Sequence, residues 1–320
     1  MKTNLKTSPR LTFLGYGACF IAGCLWGTGF YFSRLALNEM SVEYMVLYRI
    51  LFACLGMLPV ALLSRWRFSG AEFRLLLVSA ALGIPITCLL QFQGLARTTV
   101  SHASLMVGAM PVMLGVAATL FAGERLDRIG WLALCGSTLG AALLTQGGSH
   151  GAAGRDLPSL TGDLLVLLSL LFALAWILLS KKLMLTHSPS VVSAYTILVG
   201  GAMLLPWVLG PWLLSPLTHA RAAPPPFAAI SWTAWGALAF AGLLCTATTT
   251  LLWNWGIHHV PASRAGVFLN IEPALGSWLG VQLLGEHLGA FAWVGGGLIL
   301  AAAITLTTRG HEPEPAILLE

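Results

Sequence analysis

The chain has 320 residues, 57% of them apolar and 9% charged, where an ordinary water-soluble domain carries roughly 25% charge to solvate its shell. With a mean hydropathy of +0.82, 35 Gly and 12 Trp, this composition excludes soluble, disordered and collagenous classes and describes a polytopic helical membrane protein. The net charge of +5 does not imply nucleic acid, because basic residues flanking membrane spans account for it.

A span needs roughly 20 apolar residues to cross about 30 Å of hydrocarbon at 1.5 Å per residue. In chain order the apolar runs predict ten helices, over 11–32, 42–63, 73–92, 100–121, 129–145, 162–180, 191–209, 235–256, 262–284 and 291–307. The first run is too long, and too interrupted by Phe30, Tyr31 and Phe32, to be a cleaved signal peptide, so it is expected to stay as a helix. Two loops stand out: the Gly-rich 147–160, and 211–230 with Pro224, Pro225 and Pro226 in a row. Ten spans put both termini on one side. With that side inside, twelve Lys and Arg fall inside against Arg34, Arg97, Arg155 and Arg221 outside, which predicts cytoplasmic termini in the cytoplasmic membrane.

An ungapped offset of 162 aligns the two halves. Gly94 meets Gly256, Ser101 meets Ser263, Pro111 meets Pro273, Gly123-Glu124 meets Gly285-Glu286 and Trp131 meets Trp293. Five spans per copy is an odd number, so the second copy must cross the membrane the other way up. The expected fold is therefore all-α, with ten transmembrane helices in two inverted five-helix repeats, 11–146 and 162–308. Secondary transporters use such repeats to alternate access to a site near the midplane, although a scramblase or channel could share the geometry.

On these residues the chain resembles the drug/metabolite transporter superfamily, in its EamA-like branch. The resemblance is carried by Leu25-Trp26-Gly27-Thr28, Tyr48-Arg49, Pro111 with Gly123-Glu124-Arg125-Leu126, Asn270-Ile271-Glu272-Pro273 and Gly285-Glu286-His287-Leu288. It departs from the family at Arg34, where Lys is more usual. The resemblance implies a ten-helix carrier of small metabolites, commonly an exporter, and names no substrate.

Glu272 lies near the centre of a span, where a bare carboxylate costs several kcal/mol, so it either exchanges protons as access alternates or accepts hydrogen bonds at a bend beside Pro273. Arg49 lies two turns inside the second span and either snorkels to the interface or faces a cavity to meet Glu272 or a substrate carboxylate. Tyr48 beside it is an interface aromatic or a ligand contact. Gln91, Gln93, Asn254 and Asn270 either bond across helices or line that cavity. Pro111 and Pro273 suggest paired hinges. Trp26, Trp176, Trp253, Trp255 and Trp278 belong to interfacial belts or to the substrate path. The pairs Gly23/Gly27, Gly136/Gly140 and Gly276/Gly280 read as close helix packing. Glu124 and Glu286 are expected in water-facing turns, capping the helices that follow them.

The six cysteines sit in apolar runs without metal-ligand spacing, and no cofactor or metal is expected. The eight His fall mostly at span ends or in loops, and no HExxH, GxSxG or Walker element occurs. An intramembrane enzyme or lipid-handling protein thus lacks its usual cluster, and a channel lacks a charged ring. The expected activity is efflux of a small amino acid-like or amphipathic solute by alternating access, open to proton coupling. The expected partners are that solute, protons and membrane lipids, with no nucleic acid and the oligomeric state undetermined.

Overall fold

The computed structural model describes residues 9–64, 68–110, 112–113, 128–146, 159–213, 229–260 and 268–309. In chain order these form α1 (Pro9–Leu37), α2 (Val42–Leu63), α3 (Gly70–Ala81), a first π segment (Leu82–Ile86), α4 (Thr87–Leu95), α5 (Val100–Val107), α6 (Arg128–Gln146) and α7 (Leu160–Leu183). They continue with α8 (Pro189–Leu213), α9 (Trp232–Gly242), a second π segment (Leu243–Thr248), α10 (Thr249–His259), α11 (Ile271–Leu284) and α12 (Ala290–Arg309). No strand occurs among the described residues. Hydrocarbon offers no partner for a free backbone N–H or C=O, so helices that bond internally are the form these apolar runs can take.

Among the described residues six rods are long and apolar enough to cross a bilayer: α1, α2, α3 through α4, α7, α8, and α9 through α10. Of the ten expected spans, the fourth, fifth, ninth and tenth correspond to α5, α6, α11 and α12. The apolar parts of α6 and α12 are shorter, Trp131–Gly140 and Ala290–Ala302. Gly70 and Trp232 open two of the long rods 162 residues apart, and the same shift carries the first π segment onto 244–248, inside the second.

Packing follows the same pairing. α2 lies on α8, α5 on α11 and α6 on α12, while α4 on α7 is matched by α10 on α1. The last two contacts are made by glycines at equivalent places. A Cβ at Gly94 would stand 2.7 Å from the Gly162 carbonyl oxygen, and one at Gly256 would stand 2.5 Å from Cys19 Sγ and 3.1 Å from the Gly15 carbonyl oxygen. Gly23 and Gly27 likewise let α1 reach the backbone of Phe268 and Glu272, and Gly140 lets α6 reach the Gly295 carbonyl of α12. Gly136, by contrast, has no such close neighbour.

Glu286 differs from expectation. It is 5% exposed rather than in a water-facing turn, and it caps α5 in the other half of the chain rather than the helix that follows it. Gly285 in the left-handed region (φ 63°) ends α11 and turns the chain inward. The carboxylate then accepts Val100 N–H and Ser101 N–H, each at 2.8 Å, and the Ser101 hydroxyl at 2.6 Å. Two buried N–H donors would lose their partner in Glu286→Ala, while the Ser101 hydroxyl can still donate to the Ser277 carbonyl at 3.2 Å. The expected loss is roughly 2–6 kcal/mol, since each stranded buried donor costs about 1–3 kcal/mol, and thermal unfolding in detergent measures it.

Glu39, in the turn between α1 and α2, ties that turn to the start of α9. It accepts the Ser231 hydroxyl at 2.6 Å and the Ser231 N–H at 2.7 Å. These two bonds hold the exposed Glu39 carboxyl below its usual value, the side-chain bond contributing more. A depressed folded value means the bond's stabilisation is complete above the unfolded value of about 4.3 and is lost as pH falls through the folded one. The melting-temperature gap between wild type and Glu39→Gln is therefore expected to be widest near neutrality and to close on acidification.

Candidate functional site

The two π segments face each other across the middle of the bundle. A π segment widens the helix by one residue per turn and leaves polar groups to be bonded from the side, which is why such segments gather at functional positions. Here Thr246 and Thr249 turn their hydroxyls back to the carbonyls of Ala241 and Leu244, five residues earlier, at 2.9 and 2.6 Å. Between the segments lies a cavity of about 140 Å³. Its wall is built by Trp26 and Phe30 of α1, Arg49 of α2, Gly83 and Ile84 of the first π segment, and Thr87, Gln91 and Phe92 of α4. Val107 of α5, Leu170 and Trp176 of α7, Cys245 and Thr246 of the second π segment, Thr250 of α10 and Glu272 of α11 also belong to it.

Arg49 does not snorkel. It is 8% exposed and turned inward, donating from Nε to Thr246 Oγ1 at 3.0 Å and from Nη1 to Ser33 Oγ at 2.8 Å. Its guanidinium lies 4.7 Å from the centre of the Phe92 ring, a cation–π geometry. Among the described residues no carboxylate comes within 4.0 Å of it. Ser33 can accept because its own proton goes to the Gly29 carbonyl at 2.7 Å, and Thr246 because its proton goes to Ala241. The cation is thus held by two hydroxyls that act as acceptors by construction, with its Nη2 edge beside Gly29.

Glu272 occupies the first turn of α11, where helix N–H groups favour negative charge. It shares the cavity wall with Arg49 but makes no hydrogen bond to any described residue. The cavity therefore holds one cationic and one acidic side chain that do not neutralise each other directly. Around them the surface is aromatic and aliphatic.

Of the other residues expected at a site, Trp26 lies on this wall and the amides are sorted by it. Gln91 lines the cavity. Gln93, two residues on and so on another face of the helix, donates to Glu43 at 2.9 Å and accepts from Arg97. Asn254 donates to Ser193 Oγ at 2.7 Å and joins α10 to α8. Tyr48 packs on Trp235 with ring centres 5.1 Å apart, away from the cavity. Asn270 faces an outer groove with Phe20 and Trp278. Pro273 sits in the first turn of α11, where its missing N–H costs nothing, so it opens a helix instead of bending one. Pro111 and Glu124 lie outside the described residues.

Four contributors were not singled out from sequence. Thr246 and Thr250 belong to a run with four Thr in five residues, 246–250, which is a legible signal inside an apolar span. Ser33 and Phe92 carry no such signal. His102 and Asp163, both fully buried, were passed over as well, although His102 stands at a span end, as most of the histidines were expected to.

A helical membrane bundle whose broken helices enclose a charged, aromatic-lined cavity belongs to the class of membrane transporters. Residues 13–146 and 160–308 each match the EamA-like transporter family, and the chain belongs to that family. It is 22% identical to an uncharacterized transporter of Archaeoglobus fulgidus over 90% of this chain and 95% of that one. It is 23% identical to a probable terminal-alkyne amino-acid exporter of Streptantibioticus cattleyicolor, over 89% of this chain and 90% of the other. A solved crystal structure shares the fold at a TM-score of 0.60 and 16% identity, covering 95% of this chain and 99% of that one.

Thr246→Val would strand the Arg49 Nε–H in a buried site, at an expected cost of about 1.5–3 kcal/mol. Arg49→Met combined with Thr246→Val removes both partners, and the double variant is expected to be less destabilised than the sum of the two single ones. A thermal double-mutant cycle in detergent reads the coupling.

Proposed function

We propose that the chain is a secondary carrier that moves a small zwitterionic metabolite, of amino-acid type, outward across the cytoplasmic membrane by alternating access, with proton exchange at Glu272. The observation that carries this reading is the placement of Arg49 and Glu272 on one cavity without an ion pair between them. A ligand bearing a carboxylate and an ammonium group would give each the partner it lacks, the carboxylate on the open edge of the guanidinium and the ammonium on Glu272. A cavity of about 140 Å³ is close to the ~150 Å³ that admits benzene, so the enclosed ligand is compact. The aromatic lining suits its apolar part.

The architecture we assign is ten helices in two inverted five-helix repeats, 11–146 and 162–308, with both termini cytoplasmic. The 162-residue offset between the π segments and between Gly94 and Gly256 supports it, as does the helix pairing across the bundle. The charge bias of twelve to four supports the orientation. Outward direction and an amino-acid cargo are also in keeping with the relative named as a probable amino-acid exporter. The solute leaves chemically unchanged, so we assign no enzymatic step.

In reconstituted vesicles the protein is expected to exchange a radiolabelled neutral amino acid across the bilayer. Arg49→Met should reduce that exchange at least tenfold. Glu272→Gln should abolish transport driven by a pH gradient and also weaken exchange at equal pH, because the ligand's ammonium group loses its carboxylate. Exchange that survives Arg49→Met, or gradient-driven transport that survives Glu272→Gln, would remove that residue from the mechanism.

A further inference from the structure

Outside the cavity, the described residues contain one fully buried pair of ionisable side chains from different helices. His102 is in the first turn of α5, Asp163 is in the first turn of α7, and the side chains of both are 0% exposed. Asp163 Oδ1 accepts the hydroxyl of Thr98, also fully buried, at 2.7 Å. Asp163 Oδ2 and both ring nitrogens of His102 have no hydrogen-bond partner, and Nδ1 stands 3.8 Å from Oδ2. These three polar atoms are covered by protein, away from water, and satisfied by nothing.

We propose that His102 and Asp163, with Thr98, form a proton-binding site that seals the end of the molecule where α4, α5 and α7 meet. A neutral imidazole beside a carboxylate leaves one uncompensated negative charge in a buried place, which costs several kcal/mol. One added proton, shared between Nδ1 and Oδ2, makes the pair neutral overall and gives both groups a partner.

Among the described residues no lysine or arginine is paired with Asp163. From α1, Arg34 gives its guanidinium to the carbonyls of Leu95, at 2.6 Å, and Thr98. After α11, Glu286 is engaged with the N-terminus of α5, and His287 beside it is exposed. At the end of α4, Arg97 is held on Gln93, which in turn bonds Glu43 of α2. Among the described residues neither Arg34, held on the Leu95 and Thr98 carbonyls, nor Arg97, held on Gln93, comes within 4.0 Å of the Asp163 carboxylate. The first π segment has no ionisable side chain, and α3 and α12 carry theirs at the far end: Glu72 and Arg74, and Arg309.

The pair also lies about one to two turns along α5 and α7 from residues of the cavity wall. His102 is five residues from Val107 of the cavity wall and Asp163 is seven from Leu170, so the site is roughly 7–10 Å along the helices from the cavity. Opening this end would part α5 from α7, break the Thr98 to Asp163 bond and expose both groups. Protons then exchange with water only in the open form, and the closed form is favoured by the bound proton. This goes beyond the carrier reading, which places proton exchange at Glu272.

Amide hydrogen exchange of the full chain in detergent, at about pH 5.5 and about pH 8, brackets the range over which histidines in general change charge. After correction for the chemical rate, residues 94–103 and 159–166 are expected to exchange at least threefold faster at the higher pH, while 189–200 stay unchanged. Asp163→Asn keeps an acceptor for Thr98 but needs no proton, and should abolish the difference. His102→Gln, which can donate to Asp163 without taking a proton, should abolish it too and serves if the first variant does not fold. Wild-type exchange that is equal at both pH values, or a difference that persists in either folded variant, overturns the proposal. No substrate is needed, so a protein that transports no amino acid yet shows this pH dependence would sink the carrier reading and leave the proton site standing.

Discussion

In hydrocarbon a backbone amide must find its partner within the protein, and most features of this chain follow from how it meets that demand. Where helices run unbroken, the demand is met locally and the side chains face lipid or one another. Where they are interrupted, at the two π segments and at the turn around residue 270, another group has to intervene. The interruptions converge on the cavity, and the threonine hydroxyls of the second π segment complete the ladder there. Glu286 performs the same service for α5, a helix of eight residues whose first turn would otherwise bury two bare N–H donors. Backbone irregularity is thus confined to places that polar side chains can serve.

Arg49 shows the tension this creates. A guanidinium taken out of water loses solvation that two hydroxyls and one aromatic face replace only in part. A carboxylate within reach would stabilise it further, yet Glu272 shares the wall without forming that pair. Folding stability and readiness for an anionic guest pull in opposite directions at this residue. The same residue joins α1, α2 and the second π segment, so a change in what it binds would be felt by three elements together.

Much of the fold could be read in advance because hydrophobic runs and membrane thickness are tightly linked. The six long rods lie where apolar runs were expected, and the EamA-like resemblance rested on motifs that the family match covers. At the cavity, the legible residues were those whose presence in lipid is costly: Arg49 and Glu272. The amides were less legible, since Gln91 and Gln93 differ only in which side of α4 they occupy and a helix turns by about 100° per residue. Glu286 was expected to cap a helix, but which helix depended on the left-handed turn at Gly285 and on packing between halves. His102 and Asp163 stayed hidden because they stand at the polar edges of apolar runs, where ionisable residues are ordinary, and only the packing of α5 on α7 encloses them.

The cavity's size bears on where discrimination takes place. A chamber of about 140 Å³ can close around a compact guest, whereas a bulkier one would wedge the flanking helices apart. Gly83 has no room to yield, because the Trp176 indole already lies against it. Selection by bulk would then act during enclosure, after capture, so an oversized solute would linger and depart by the side it came from. Such a compound would behave as a blocker instead of cargo, and trimming the indole at position 176 is the change that would convert one into the other.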